Sequence, residues 1–235
     1  MRLDFASTGN HEYDQGWQEL LRLQDGGCER FTAKTPCQLS QPFEGVRFQY
    51  LAANTVRADS RPLLPATGIK FFEQDGASIG VGFIDQTVRN APRMACPSGV
   101  QGLSFDDEAA TADALVGPLR AQGASVIVLL IHEGSSIRSG PQDPSCDGLS
   151  GDIVPILDRL SAQVEVVISG HTHRAYLWDY AHVNLAKPFL LTSAGLYGTV
   201  LTEVRLGVDV ATHRVVQRGA RQHIAQGQPF AGPAR

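Results

Sequence analysis

No long hydrophobic run interrupts the chain. The longest, "SVIVLLI" at 125–131, is far short of the ~20 residues that a membrane-spanning helix needs. The opening "MRLDFASTG" carries one basic residue but no apolar core of a secretory leader. In an intact gene product that points to the cytoplasm; in a chain that has lost its natural start it carries no weight. A basic excess is missing too. Twenty Lys and Arg against 24 Asp and Glu leave a net charge of −4, which gives no electrostatic footprint for nucleic acid. The densest basic group, Arg214, Arg218 and Arg221, reads as a solvated face. No C-x-x-C pair occurs, which argues against a zinc ribbon or a thioredoxin-like site. No internal repeat is visible.

What is present describes a globular α/β protein. The 235 residues suffice for one large domain, and 43% hydrophobic with 19% charged residues fits a real core. Of four cysteines, Cys28 and Cys37 flank a short loop that could close as a disulfide hairpin. Four cysteines allow three full pairings, and spacing does not choose among them. Their placement in loops tilts toward an oxidising compartment. "LDFAS" (3–7) predicts a short buried strand, and a helix follows over 14–24 with Gly26-Gly27 as its end. Strands are expected at 47–54, 164–169, 189–193 and 199–209, with 213–217 pairing to the last. Residues 69–85 predict a hairpin turning at Asp75-Gly76. Residues 86–105 read as loop. A helix is expected over 106–123, kinked or shifted at Gly117-Pro118, and another at 151–162. "SVIVLLI" reads as a strand buried on both faces. A long polar loop covers 133–149, and the Gly-, Pro- and Gln-rich segment 218–235 reads as a linker or tail.

Three loops concentrate the chemistry, each after a predicted buried strand: "TGNHEYD", "HEG" after 125–131, and "GHTH" after 164–169. In open α/β sheets, ligands bind beyond the carboxyl ends of the strands. Adjacent strand ends would therefore gather Asn10, His11, His132, His171 and His173. Alone, Asn10 reads equally as a helix cap, and His132 as a core histidine. The "HTH" pair is stronger, because residues i and i+2 of an extended or turning stretch can aim at one point or at two adjacent metals. Gly170 would supply the sharp turn before them. His182, His213 and His223 lack such context and read as surface or strand residues. Four of seven histidines at three strand ends, each beside glycine, form a pattern that structural roles alone do not explain.

The order G-N-H-E, a lone His after an apolar strand, then G-H-x-H resembles the calcineurin-like metallophosphoesterases. Within them it is similar to the bacterial 5′-nucleotidase / 2′,3′-cyclic-nucleotide phosphodiesterase group. "LDFASTGNHEYDQG", "AANTV", "GLSFDDEAATADALVGPLRAQGA" and "TSAGLYGTVLTEVRLGVD" carry the likeness, which runs from residue 1 to about 217. The resemblance implies a four-layer αββα sandwich with a two-metal site of Zn, Mn, Fe or Co. Carried over, Asn10, His132 and His171 hold one metal and His173 the other. His11 becomes the catalytic histidine, hydrogen-bonded by Asp14. Mixed N/O ligands suit such metals, and residues three apart at a helix start share a face. A carboxylate beside an imidazole favours a proton donor to a leaving alkoxide. The implied reaction is hydroxide attack at phosphorus between two metals.

The resemblance also implies two earlier motifs, D-x-H and a G-D whose aspartate bridges the metals, and neither precedes Asn10 in this chain. The expectation is therefore a partial catalytic domain over 1–217, its first two strands missing. Residues 218–235 would then lead toward a C-terminal nucleotide-binding domain. Such a chain is expected to hold one metal at most and to hydrolyse nucleotides weakly. The alternatives are a one-metal binding module or an inactive product. Cyclic-nucleotide and sulfur-ester substrates remain open within the class, with no nucleic-acid or membrane partner expected. By resemblance, the compartment of the intact protein is periplasmic or extracellular.

Overall fold

A computed structural model describes residues 2–39, 42–74, 76–137 and 145–225. Its centre is a six-stranded sheet. The strands are β4 (Thr67–Gln74), β5 (Ala77–Gln86), β7 (Ala124–Ile131), β8 (Val166–Ser169), β10 (Leu190–Ala194) and β9 (Ala175–Asp179), in the spatial order β4-β5-β7-β8-β10-β9. β5, β7, β8 and β10 run parallel, and β4 and β9 pair antiparallel at the two edges. "SVIVLLI" lies at the middle of this sheet, as its unbroken apolar character requires.

One face is covered by α3 (Glu108–Ala121) and α4 (Ile153–Arg159). Ala112, Val116 and Leu119 of α3 and Ile153, Ile156 and Leu157 of α4 pack on Ile127, Leu129 and Ile131. α3 starts where the Asp107 carboxylate accepts the Ala110 N–H at 3.0 Å. It runs through Gly117-Pro118 without ending, against the expected interruption. Pro118 and Ala114 both lie on its exposed side, where water can take the carbonyl that proline leaves unpaired.

The opposite face is met by two separate two-stranded ribbons. β11 (Val200–Asp209) and β12 (Arg214–Ile224) lay Val204, Leu206, Val208, Val215 and Ala220 over Val126, Val128, Val166 and Leu190. The parallel pair β1 (Phe5–Ser7) and β2 (Gln49–Leu51) meets the same face through Phe5, whose ring centroid is 4.9 Å from that of Phe83. The helix, sheet and ribbon layers agree with the expected αββα class. A second core gathers Leu20 of α1 (Trp17–Asp25) with Tyr13, Ala52, Val88, Val100 and Phe105.

Several expectations change. The segment 86–105 is not all loop: it forms α2 (Ala91–Met94), a 3₁₀ turn (Pro97–Gly99) and β6 (Leu103–Phe105), which pairs with β3 (Thr55–Arg57). Asn54 makes that possible, since its amide accepts from Thr87 N at 2.9 Å and donates to Thr87 O at 2.7 Å. The expected strand 47–54 is shortened to β2, and β3, which follows it, was not expected. β9 was not expected, although Tyr176 and Trp178 alternate inward and stack at 4.4 Å. β12 continues to Ile224, so residues 218–224 are strand and not tail. The ladder with β11 and the Gln222 amide, bonded to Tyr176 O and Ser193 O, hold them. Asp75, residues 138–144 of the polar loop and residues 226–235 of the tail lie outside the described residues.

Candidate active site

The three loops do converge, but not along the edge of one sheet. β7 and β8 are neighbours, so His132 and "GHTH" leave adjacent strand ends. β1 belongs to a ribbon on the sheet's face and delivers Asn10 from across the layer boundary. The site therefore sits where two β layers meet at their carboxyl ends.

Its nucleus is the pair Asn10 Oδ1 and His132 Nε2, 3.1 Å apart across 122 positions of sequence. The His171 ring lies edge-on to that of His132, centroids 5.1 Å apart at 62°. Asn10 is buried, on a 3₁₀ turn (Asn10–Tyr13) whose first turn Glu12 closes by accepting the Gly9 N–H at 2.6 Å. Gly9 is required by contact: a β-carbon there would meet the His132 ring at 2.4 Å. A β-carbon on Gly134 would meet Gly170 O at 2.1 Å, so that glycine lets the two histidine loops touch.

The turn before the histidines is not made by Gly170. His171 and His173 themselves take left-handed backbone angles, φ 66° and 59°. Non-glycine residues pay strain for that conformation, which persists where surroundings over-determine it. Here Thr172 N bonds Gly170 O at 2.7 Å, and Thr172 Oγ1 bonds Ser135 O at 2.9 Å. Ser135 N in turn bonds the Tyr176 hydroxyl at 3.1 Å.

Burial, and then the charges of His171, His11 and His173, push the His132 imidazole down to about 4. His171 is lowered by burial first and then by His173 and His11. Both rings are thus neutral at neutral pH, with lone pairs free for a metal. His11 and Asp14 form a separate pair on the rim, Nδ1 to Oδ2 2.7 Å. The His11 side chain is 71% exposed, open to a substrate. His173 is near enough to act on both half-buried rings.

The donors fit a divalent transition metal. Two neutral imidazoles and an amide oxygen form a mixed N/O set. Donors ~2.1 Å from one ion at near-right angles stand about 3 Å apart, close to the observed Asn10–His132 spacing. Among the described residues, no group of three or more His, Cys, Asp or Glu side chains is arranged to hold a metal.

Sequence reasoning missed what lies beneath Asn10. Asp85, at the end of β5, is fully buried and accepts from Ser7 Oγ, from Thr8 N at 3.1 Å and from Thr8 Oγ1 at 3.2 Å. Thr8 Oγ1 also meets Thr87 Oγ1 at 2.7 Å, and Tyr13 reaches Thr55 at 3.3 Å. The available signal was a carboxylate closing the apolar run "IGVGFID".

No protein-family model matches the chain. The endonuclease YhcR of Bacillus subtilis is 25% identical over 218 residues, covering 92% of this chain and 16% of the relative. The NAD 5′-nucleotidase of Haemophilus influenzae is 25% identical over 73% of this chain and 22% of its own length. The solved calcineurin-like phosphoesterase YfkN of Bacillus subtilis superposes with a TM-score of 0.67 at 17% identity, over 94% of this chain and 63% of that one. The chain spans about a fifth of the length of these two curated relatives. The fold is of the layered α/β class to which these solved structures belong. The chain has the fold of the calcineurin-like phosphoesterases and groups by similarity with their 5′-nucleotidase branch.

Proposed function

We propose that this chain contributes to a metal-dependent phosphoester hydrolase acting on nucleotides. The observation that carries the reading is the 3.1 Å approach of Asn10 and His132, with His171 against them. Asn10, His132 and His171 would hold one divalent transition metal, and His173 would face a second position. When bound, such a metal neutralises phosphoryl oxygens and lowers the pKa of water. The chain's own residues do the rest. Asp14 takes Nδ1 of His11, which leaves Nε2 to carry the proton. As water adds at phosphorus and the phosphorus–ester oxygen bond breaks, that proton passes to the departing oxygen. Solvent then reprotonates His11.

Acidic ligands for a full two-metal centre are not among the described site residues, so this chain alone is expected to bind one metal and to turn over slowly. Residues 1–217 plus the rest of β12 form the catalytic part in this reading. The small-molecule substrate follows the nucleotidase relatives; the relative named as an endonuclease makes a polynucleotide the second assay. A periplasmic or extracellular compartment is supported by the Cys28–Cys37 disulfide. Another relative is named a cell wall protein. No helix among the described residues is long and apolar enough to cross a membrane.

Titration calorimetry with Mn²⁺ tests the site. One ion per chain is expected, with affinity reduced at least tenfold by His132→Ala and by Asn10→Ala. His11→Ala should leave Mn²⁺ binding intact while abolishing residual AMP hydrolysis. Two tight ions per chain, or turnover that survives His11→Ala, would overturn these assignments.

A further inference from the structure

The basic residues of β12 do not share one environment. Arg221 is the register partner of Glu203 in the β11–β12 ladder, with Arg205 beside them. Arg214 and Arg218 instead line a separate cavity of about 620 Å³. Its other walls come from Ala124 at the start of β7, and from Gln163 and Glu165 just before β8. His132 leaves the opposite end of β7. At ~3.3 Å per residue along that strand, the cavity lies roughly 20 Å from the candidate active site.

Arg120, near the end of α3, is committed within the wall. Its Nη1 donates to Ala124 O at 3.2 Å, and its Nη2 to Gln163 O at 2.9 Å and to Glu165 at 2.6 Å. Glu165 is buried and also accepts the Ile127 N–H at 2.6 Å, so its charge is already matched. The nearby Asp209 is held in the hairpin turn, where Thr212 N and Oγ1 each donate to it at 2.7 Å. Arg218 is close enough for its charge to act on Glu165. Yet among the described residues neither Arg214 nor Arg218 has an ion-pair partner within 4 Å. Between them in the lining stands His213, whose Nδ1 lies 2.8 Å from Ser125 Oγ. That bond fixes the ring and leaves Nε2 for a ligand. Two like charges on one wall repel, and an anion between them turns that cost into attraction.

We propose that this cavity is a distal site for a phosphate-type oxyanion, either free phosphate or the phosphate of a nucleotide. Arg214 and Arg218 supply planar forks that suit such oxygens, and His213 adds a third donor. Donors from three side chains match a tetrahedral anion better than a two-oxygen carboxylate. The bound anion joins the β11–β12 ribbon to the start of β7 and so clamps the ribbon onto the sheet. The inference needs no metal and stands apart from the reading of Asn10, His132 and His171.

Calorimetry on the full chain without added metal compares inorganic phosphate, AMP and acetate. Phosphate is expected to bind with a dissociation constant of about 1 mM or tighter, and acetate about tenfold or more weakly. Arg214→Gln/Arg218→Gln should weaken phosphate by about tenfold or more, and Arg221→Gln by less than about twofold. The double variant should also lose the rise in melting temperature that phosphate gives the wild type. AMP binding no tighter than phosphate supports the site with free phosphate as its ligand; AMP binding about tenfold tighter supports it with a nucleotide as the source. The site is overturned by an absence of phosphate binding to the wild type up to about 10 mM, or by equal affinity for acetate. Undiminished binding by the double variant, or an equal loss in Arg221→Gln, overturns it as well.

Discussion

Asp85 accepts from Ser7, from both the N–H and hydroxyl of Thr8 and from the Gln86 N–H, yet burial outweighs them and pushes its carboxyl up to about 8. The side chain is therefore largely a neutral acid at pH 7, held as a hydrogen-bonding strut under the loop that carries Asn10. The sign of the linkage follows. The folded value lies above the unfolded value near 4, so the folded state binds the extra proton between about pH 4 and 8. Stability falls as pH rises through that window. Asp85→Asn keeps the shape and removes the titration. Its unfolding free energy should match wild type near pH 4 and exceed it near pH 9, by a gap on the order of a few kcal/mol. Parallel melting curves for the two proteins across that range would refute the buried-acid reading. This residue was not legible beforehand, because nothing local marks one aspartate as buried. Asn10, His11, His132 and His171 were legible, since each follows an apolar strand in a Gly-bounded loop.

Asp107 joins two elements. It caps α3 and receives Arg159 of α4 in a two-pronged pair, at 2.8 and 2.9 Å. The Arg159 guanidinium first, and then the Ala110 N–H, hold its carboxyl below the usual range. A lowered folded value means the contribution is present above the unfolded pKa and fades as pH falls through the folded one. Asp107→Ala should destabilise by about 1–2 kcal/mol at pH 7, the cost of a lost cap with modest help from the exposed pair. The difference should shrink below pH 3, as read by urea unfolding. A constant deficit at all pH values would mean that packing, not the carboxylate, is responsible. At this scale the long periodic elements, such as the helix over 106–123, are readable from sequence. Short ones such as β3, β6 and β9 are not: β3 and β6 pair across 46 to 50 positions beside the side chain of Asn54, and β9 is fixed by its register with β10.

Across the whole molecule, one sheet face depends on the β11–β12 ribbon for cover. Leu206 lies over the apolar set Val126, Val128 and Val166. Leu206→Asp would place a charge against that face and push the ribbon off. A loss of roughly 2 kcal/mol or more and new binding of a hydrophobic dye are expected. Unaltered dye binding and melting temperature would show that the ribbon is not a structural cover. The ribbon's far end is tied independently by Gln222 to β9 and β10, so the site beneath it should retain its shape longest.

By itself the sequence determined the layered α/β class, the buried central strand and the side chains able to meet at strand ends. These follow from local properties: hydrophobic period, β-branching and glycine placement. Only the tertiary structure decided that β1 stands in a ribbon on the sheet's face, and that Asn10 thereby reaches His132 from another layer. It also decided that His171 and His173, not Gly170, take the strained backbone angles, and that Asp85 is buried beneath the site. Each of these depends on contacts between segments dozens of residues apart. Their energies are set by burial and approach distance, which no local pattern encodes.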